Sequence, residues 1–255
     1  MGKAMTVMRF FCQLIGFSTS LCLGCLGIVV LNGLTLGRAN SWVNPNLIRL
    51  FGRALLWAAR VKLVLEPAVV AEFAVSRRRI ILLNHSSTLD MFIMTAFWAP
   101  GTVAIVKREF IWMPLLGWAT LALRFVLLDR RNRERAVASM DQAALRVKRE
   151  NLGITIAPEG TRSKTGELAK FKQGAFHLAA KAEAPLVPVL LHGPRWLWPR
   201  SQMACHPGIV TVRLLPELVP LPPDAPPEAF HAQADAAHAA YAFAIAEMDA
   251  TVPVQ

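Results

Sequence analysis

The stretch RIILLNHSSTLD, residues 79–90, decides the fold because it joins an apolar run to a polar loop and then to a second apolar run. Four apolar residues, Ile80 to Leu83, come first, and Met91 to Trp98 follow the polar residues. A short apolar run bounded by polar residues is typical of a strand, and a longer one is typical of a helix. The polar loop therefore marks a strand-to-helix junction.

His85 and Asp90 are the chemically active residues of this loop. The side-chain pKa of histidine lies near neutrality, so an imidazole can take a proton from a hydroxyl, and a nearby carboxylate can stabilise the resulting imidazolium. The alternative is structural, because such a pair also occurs where a loop caps a helix. Residues 86–88 are expected to cap the helix that begins near Leu89.

Downstream of Val61, short β-rich runs alternate with helical stretches. That alternation predicts an α/β fold with a mostly parallel central sheet covered by helices. The clearest predicted helix, Arg133 to Arg149, carries an apolar stripe at helical spacing. The predicted strands are Arg79–Asn84, Val103–Lys107, Phe125–Leu128, Gly153–Ala157, Leu186–Leu191 and Ile209–Leu214.

The composition favours a membrane surface. Of the 255 residues, 54% are hydrophobic and only 18% are charged, while 28 Lys and Arg against 17 Asp and Glu give a net charge of +11. An apolar and basic chain suits an anionic membrane. Nucleic acid is disfavoured, because aromatic residues are not interleaved with the arginines as a base-stacking platform requires.

An uncharged stretch, Phe10 to Leu36, is long enough to cross a hydrocarbon core of about 30 Å. It predicts a membrane segment, and its polar residues and glycines leave a re-entrant or interfacial hairpin as the alternative. Arg49, Arg53 and Arg60 follow with apolar residues between them. They predict a basic amphipathic helix on the membrane, or alternatively a surface helix of the next domain.

Three regions follow from these patterns. Residues 1–60 are the predicted N-terminal membrane-anchoring helices, 61–215 the predicted catalytic domain, and 216–255 a proline-rich connector with a terminal helix. Positive charge clustered after the anchor predicts that the catalytic domain faces the cytoplasm, at the cell inner membrane.

A second polar segment, Ala157 to Ser163, follows a predicted strand and so lies at the edge of the sheet where α/β proteins bind ligands. Gly160 can offer a backbone N–H, Thr161 a hydroxyl, and Arg162 a guanidinium that can grip two phosphate oxygens. The segment therefore predicts a phosphate site. The alternative is a surface turn in which Glu159 and Arg162 pair with each other.

Two further cations stand at predicted strand ends. Lys107 ends one strand and Arg130 follows another, so both are candidates to bind the same charged ligand as Arg162. The arginines of residues 131–135 are interpreted instead as a solvated face that supports membrane association.

Five sequence blocks stand in a fixed order between about residues 80 and 190. The blocks are Asn84-His85 with Asp90, Lys107-Arg108-Glu109 with Pro114-Leu115-Leu116-Gly117-Trp118, Phe125 with Asp129-Arg130, Pro158-Glu159-Gly160-Thr161-Arg162-Ser163, and Phe171-Lys172-Gln173-Gly174 with Val187-Pro188-Val189. Together they resemble the glycerolipid acyltransferase family.

The resemblance implies transfer of a fatty acyl group from a coenzyme A or acyl-carrier-protein thioester to the free hydroxyl of a lysophospholipid. The implied acceptor is 1-acyl-glycerol-3-phosphate and the implied product is phosphatidic acid. His85, oriented by Asp90, would be the general base. Neither an enzyme nucleophile, nor a metal ion, nor another cofactor would be required.

The resemblance also implies a phosphate clamp for the acceptor. Glu159 would orient the clamp arginine or the acceptor's glycerol. The implied phosphate ligands are Arg162, Gly160, Thr161, and Lys107 or Arg130.

Two alternatives stay open from the sequence. The acceptor is another lysolipid, such as lyso-ornithine lipid, since an arginine also holds a carboxylate. Alternatively, the chain is a noncatalytic membrane protein whose basic surface binds anionic lipid.

Overall fold

The computed structural model describes residues 3–38, 43–163, 165–199, 202 and 204–251. Within them the helices are α1 (Lys3–Leu34), α2 (Val43–Ala58), α3 (Pro67–Ala74), α4 (Leu89–Ala96), a 3-10 helix (Arg108–Trp112), α5 (Leu116–Ala122), α6 (Arg133–Glu150), α7 (Gly174–Ala182), α8 (Pro194–Leu197) and α9 (Pro227–Thr251). The strands are β1 (Val61–Leu65), β2 (Arg79–Leu83), β3 (Thr102–Lys107), β4 (Val126–Leu128), β5 (Gly153–Ile156), β6 (Leu186–His192) and β7 (Gly208–Leu214).

The seven strands of the described residues form one sheet in the order β1-β7-β6-β2-β5-β3-β4. Only β6 and β7 run antiparallel, and the other neighbouring pairs in this part of the chain are parallel. The predicted α/β fold with a mostly parallel sheet is thereby confirmed. All six predicted strands occur with ends that differ by one residue, and β1 is the strand that the pattern does not predict.

The central strand β2 is buried on both faces. Ile81 and Leu83 point into a core that is built with α1 to α5, and Ile80 and Leu82 point into a second core with α6, α7 and α9. Side chains of a strand alternate between the two faces of a sheet, so one apolar run can serve two cores. The apolar stretch at residues 80–83 therefore places the following loop at the centre of the molecule.

The connections around β2 create a crevice. β2 and β5 are parallel neighbours, with Leu82 opposite Ile156. After β2 the chain passes to α4 on the first face, whereas after β5 it passes to α7 on the second face. In open α/β sheets such divergence leaves a ligand crevice at the carboxyl ends of the two strands. Residues 84–88 and 157–163 are thus brought to one edge.

The N-terminal helix α1 contains the apolar segment Ile15–Leu34, which is long enough to cross a membrane. α1 packs against α2 and α5. Its buried Gln13 exchanges two hydrogen bonds with the backbone of Cys205, at 2.8 and 2.9 Å. Part of the predicted anchor therefore shares contacts with the predicted catalytic domain.

Helix α2 has two distinct faces. Its inner face adds Leu56 to the first core, and Arg49 Nε donates a hydrogen bond of 2.7 Å to the carbonyl of Trp98, just beyond the end of α4. Its outer face exposes Leu50 and Trp57. The helix thus covers the sheet domain and still presents apolar side chains to its surroundings.

The C-terminal helix α9 closes the second core. The hydroxyl of its buried Tyr241 lies 2.8 Å from the carbonyl oxygen of Leu82 and 3.3 Å from that of Val189. Burial raises the pKa of this phenol well above its ordinary value. α9 is thereby bonded to the backbone of β2 two residues before the polar loop begins.

Candidate active site

His85 and Asp90 lie together at the carboxyl end of β2. His85 Nδ1 is 2.9 Å from Asp90 Oδ2. The Asp90 side chain, in the first turn of α4, is 5% exposed, whereas the His85 side chain is 32% exposed. With Nδ1–H donating to the carboxylate, Nε2 keeps a lone pair that can accept a proton. The two side chains that the sequence selects are therefore arranged as a base and its orienting acid.

The environment of Asp90 suits a partner that becomes positively charged. Burial raises the pKa of Asp90, while hydrogen bonds from His85 and from the Ser87 N–H at 2.8 Å oppose that rise. A buried carboxylate is stabilised most strongly when the neighbouring imidazole is protonated, because the two then carry opposite charges. The pair can therefore stabilise the imidazolium that forms when His85 accepts a proton.

The hydroxyl of Ser87 has a structural role. It donates a hydrogen bond of 2.8 Å to the carbonyl of Trp198 and accepts one of 3.1 Å from the N–H of Leu89. The second bond satisfies an N–H in the first turn of α4. Both contacts hold the loop in place and leave His85 as its reactive group.

Glu159 lies beneath this loop. It is 3% exposed, and its carboxylate accepts hydrogen bonds from the N–H of His85 at 2.6 Å and from the N–H of Ala169 at 3.2 Å. Burial raises its pKa to about 7, and these two N–H groups oppose the rise. Among the ion pairs of the described part of the chain, none joins Glu159 to Arg162, the contact that the sequence alternative expects.

Gly160 is bracketed by two cations. Its φ of +74° lies in the left-handed region, and its carbonyl accepts a hydrogen bond from the Arg130 guanidinium. A Cβ on Gly160 would come within 3.0 Å of Cδ and Nζ of Lys172. The structure therefore brings Arg130 to the turn as a candidate ligand. It also brings Lys172 to the turn, a residue of the Phe171-Lys172-Gln173-Gly174 block.

Arg162 reaches back to the loop of His85. Its guanidinium donates a hydrogen bond to the hydroxyl of Thr88, immediately before α4. Its Nε is buried and has no hydrogen-bond partner among the described residues. A buried guanidinium N–H without a partner is costly and is suited to an anionic ligand. Thr161, next to it, is exposed on the turn.

Lys107 lies farther from the centre. It ends β3, which is separated from β2 by β5, and its side chain is exposed. No hydrogen bond or ion pair that the described residues provide joins it to the turn at 158–163. Of the two cations predicted at strand ends, the structure connects Arg130 to this turn and does not connect Lys107.

A second histidine and aspartate pair lies at the carboxyl end of β6. His192 Nε2 is 2.7 Å from Asp249 Oδ1, and Arg195 donates to the other oxygen at 2.5 Å. The sequence could not indicate this pair, because its members are 57 residues apart. The His192 side chain is only 6% exposed, so this pair fastens α9 to β6 and is closed to a substrate.

The described residues contain no group of three or more His, Cys, Asp or Glu that could hold a metal ion. Charged groups of the described residues at the carboxyl ends of β2 and β5 include the His85–Asp90 pair and the cations Arg130, Arg162 and Lys172, which lie next to residues 88 and 160. Together they combine a proton acceptor with groups that bind an anion.

Comparison with protein families places this arrangement in a known class. Residues 67–192 match the acyltransferase family model, and this segment contains β2 to β6 with both polar turns. Residues 67–192 therefore form an acyltransferase domain, as the resemblance of the sequence blocks implies.

Several curated proteins are similar to this chain. The 1-acyl-sn-glycerol-3-phosphate acyltransferase of Cocos nucifera is 36% identical over 162 residues, which cover 64% of this chain and 51% of that protein. The enzyme of the same name from Haemophilus influenzae is 39% identical over 113 residues, which cover 44% of this chain and 47% of that protein. The chain thus spans about half the length of the curated relatives it matches.

A solved structure shares the whole fold. The crystal structure of the 1-acyl-sn-glycerophosphate (LPA) acyltransferase PlsC from Thermotoga maritima superimposes with a TM-score of 0.81 and covers 100% of both chains. The two sequences are 21% identical, so this likeness establishes the fold.

Proposed function

We propose that this protein transfers a fatty acyl group from an acyl thioester to the free hydroxyl of 1-acyl-glycerol-3-phosphate and so forms phosphatidic acid. The observation that carries the proposal is the His85–Asp90 pair, joined at 2.9 Å beside an Arg162 that has a buried, unpartnered Nε among the described residues. The names of the similar proteins support the same acceptor.

In the proposed reaction His85 acts as a general base. Nε2 takes the proton of the acceptor hydroxyl while the hydroxyl oxygen attacks the carbonyl carbon of the thioester. The C–S bond of the resulting tetrahedral intermediate then breaks, and the leaving thiolate recovers the proton from the imidazolium. Asp90 stabilises that imidazolium throughout. The acyl group passes directly to the acceptor, so the proposal includes no covalent acyl-enzyme.

The acceptor's phosphate would bind at the turn that follows β5. Arg162 offers an N–H without a partner among the described residues, and Arg130 and Lys172 stand on either side of Gly160. Thr161 adds an exposed hydroxyl. A site with guanidinium groups fits a phosphate, whose oxygens accept paired hydrogen bonds.

The acyl donor in this proposal is a coenzyme A or acyl-carrier-protein thioester, and no further cofactor or metal ion takes part. In the proposed reaction the negative charge that develops on the thioester carbonyl oxygen is stabilised by the imidazolium and by the cations of the turn after β5. Comparison of the two thioesters as donors, with the same acyl chain, would identify the preferred carrier.

Replacement of the base tests the proposed reaction. We expect His85→Gln to lower kcat for lysophosphatidic acid by about 10²- to 10⁴-fold. His231→Gln, at an exposed position on α9, is the matched control and should keep wild-type turnover. Retained activity in the His85 variant would refute the proposed base. Transfer to lyso-ornithine lipid but not to lysophosphatidic acid would refute the proposed acceptor.

We further propose that the protein sits on the cytoplasmic side of the cell inner membrane. Large apolar side chains are exposed on α1, including Ile15 and Leu23, and on the neighbouring segment 112–121, where Trp112 is 81% and Trp118 is 58% exposed. Exposed apolar patches of this kind, with tryptophans, fit the interface of a lipid bilayer.

Fluorescence quenching tests this placement. An environment-sensitive fluorophore on a cysteine introduced at position 112 should be quenched by brominated lipids in vesicles. The same probe at position 228, on α9, should stay unquenched. Equal quenching at both positions would refute the proposed membrane face, and protease access in oriented inner-membrane vesicles would test the cytoplasmic orientation.

A further inference from the structure

Glu159 holds the backbone of His85 from the turn that follows β5. One carboxylate oxygen accepts the N–H of His85 at 2.6 Å, and the other accepts the N–H of Ala169 at 3.2 Å. At 3% exposure the side chain is buried, with its polar atoms directed at two backbone groups. Both oxygens of Glu159 are therefore engaged with the backbone that surrounds the turn.

The same turn also binds the other polar atom of the His85 backbone. The N–H of Ser163 donates to the carbonyl of His85 at 2.9 Å. The two bonds therefore fix the residue on both sides of its Cα. The turn itself is anchored, because the N–H of Lys172 donates to the carbonyl of Pro158 at 2.8 Å.

A third contact fixes the residue before the histidine. The Asn84 side chain donates to the carbonyl of Leu191 at 3.0 Å and accepts the N–H of Leu191 at 2.8 Å. These bonds continue the ladder between β2 and β6 beyond the end of β2. The side chain of Asn84 is thus held by β6, and the backbone of His85 by the turn that follows β5, the two strands that flank β2.

We propose that Glu159 is a positioning residue whose carboxylate fixes the His85 backbone so that Nδ1 stays on Asp90 and Nε2 faces the acceptor hydroxyl. This inference rests on the proposed acyl transfer. In this proposal Glu159 acts on the base His85, and the cations of the turn bind the phosphate. Small displacements of a catalytic group are expensive, because the reacting atoms must approach in a narrow range of geometries.

Glu159→Gln separates positioning from substrate binding. The amide has one acceptor oxygen, so it can satisfy only one of the two N–H groups and turns its own NH₂ against the other. We expect kcat to fall by about 10- to 100-fold while KM for lysophosphatidic acid changes by less than about twofold. Glu167→Gln, at an exposed position on the same return segment, should behave as the wild type.

A measurement independent of turnover accompanies the kinetics. In protein labelled with ¹³C-histidine, the His85 signal can be assigned from its loss in His85→Gln. We expect this signal to move in Glu159→Gln and to stay in place in Glu167→Gln. Unchanged signals of the other histidines would show that the Glu159→Gln variant is folded. If that variant does not fold, Glu159→Asp, which keeps the negative charge on a shorter side chain, is measured instead.

The outcomes are distinct. A shifted His85 signal with a lower kcat supports the positioning role. An unmoved His85 signal overturns it, and a tenfold higher KM for the acceptor would then assign Glu159 to substrate binding. If the wild type fails to acylate lysophosphatidic acid, the proposed function fails, while the histidine signals still report on the contact.

Discussion

The Asp90 carboxylate is the group that stabilises the protonated form of His85 in the proposed reaction. Asp90→Asn keeps the shape of the side chain but removes the charge that stabilises the imidazolium, and it can stabilise the wrong ring tautomer. We expect kcat to fall by about 10²- to 10⁴-fold with little change in KM for the acceptor. Steady-state kinetics would measure this, with Asp141→Asn, in an exposed pair with Lys181, as the control. Turnover within threefold of the wild type would contradict the proposed role.

Arg162 should govern acceptor affinity. Its guanidinium reaches Thr88 and has a buried Nε with no partner in the described part of the chain, so a phosphate would complete its hydrogen bonds. Arg162→Lys retains a charge but loses the planar fork, and hydrogen bonds to charged groups contribute about 1.5–3 kcal/mol. We therefore expect KM for lysophosphatidic acid to rise by about 10- to 100-fold. Arg135→Lys, on an exposed arginine paired with Asp129, is the control. An unchanged KM would remove Arg162 from the clamp.

Among the elements of the fold, the turn after β5 depends on Gly160. Gly160→Ala must hold a Cβ at φ +74° and within 3.0 Å of Lys172. A left-handed conformation costs an alanine about 1–2 kcal/mol, so we expect a loss of that size in the free energy of unfolding. Denaturant unfolding in detergent would measure it. Gly174→Ala, whose nearest contact is Met140 at 4.0 Å, should be neutral, and equal stability of both variants would contradict the strain at the turn.

The elements that the sequence predicts well are those with strong local patterns. β2 is a continuous apolar run, and α6 carries an apolar stripe with Asn132 as its N-cap, which accepts the N–H of Arg135 at 2.9 Å. β1 has no such pattern, because it is a five-residue edge strand in which Lys62 interrupts the apolar residues and only Val61 is fully buried. Edge strands with half-exposed side chains give little periodic signal.

The contacts between elements could be predicted only in part. Proximity of His85 and Asp90 follows from their place in one loop, but the bond from His85 to Glu159 depends on β2 and β5 becoming neighbours. These two residues are 74 positions apart in the sequence. The resemblance implies that Glu159 orients Arg162 or the acceptor's glycerol, whereas the carboxylate of Glu159 contacts the N–H groups of His85 and Ala169. The same adjacency brings Arg162 to Thr88.

At the scale of the whole molecule, the apolar and the chemical surfaces meet at α4. This helix carries Asp90 in its first turn and ends beside α2. Arg53 of α2 donates a hydrogen bond to the carbonyl of Ala96, the last residue of α4, and Arg49 donates one to the carbonyl of Trp98, just beyond it. The rings of Phe17 on α1 and Phe92 on α4 lie 5.5 Å apart. The helices with the proposed membrane face therefore pack directly on the helix that carries the Asp90 carboxylate.

Burial of Glu159 also makes the stability of the whole domain depend on pH. Its pKa is raised from 4.5 to about 7 in the folded protein, so the folded state holds the proton more tightly than the unfolded chain. Stability from this group is therefore fully present below about pH 4.5 and is lost as the pH rises to about 7, by about 3 kcal/mol. His85 favours the charged form and Asp90 opposes it, and Asp90, with its own raised pKa, adds a change of the same sign.

Glu159→Gln removes this titration and isolates its effect on unfolding. Because the amide stays neutral, we expect the free energy of unfolding of the variant minus that of the wild type to increase by about 3 kcal/mol between pH 4.5 and pH 8, so the variant gains relative stability. Denaturant unfolding in one detergent at both pH values would measure the difference, and the remaining carboxylates cancel in the comparison. Glu167→Gln, which replaces an exposed carboxylate, should show no such change. If the difference in unfolding free energy between the Glu159 variant and the wild type did not change with pH, the buried carboxylate would titrate near its ordinary pKa. The two backbone N–H groups would then compensate for its loss of solvent.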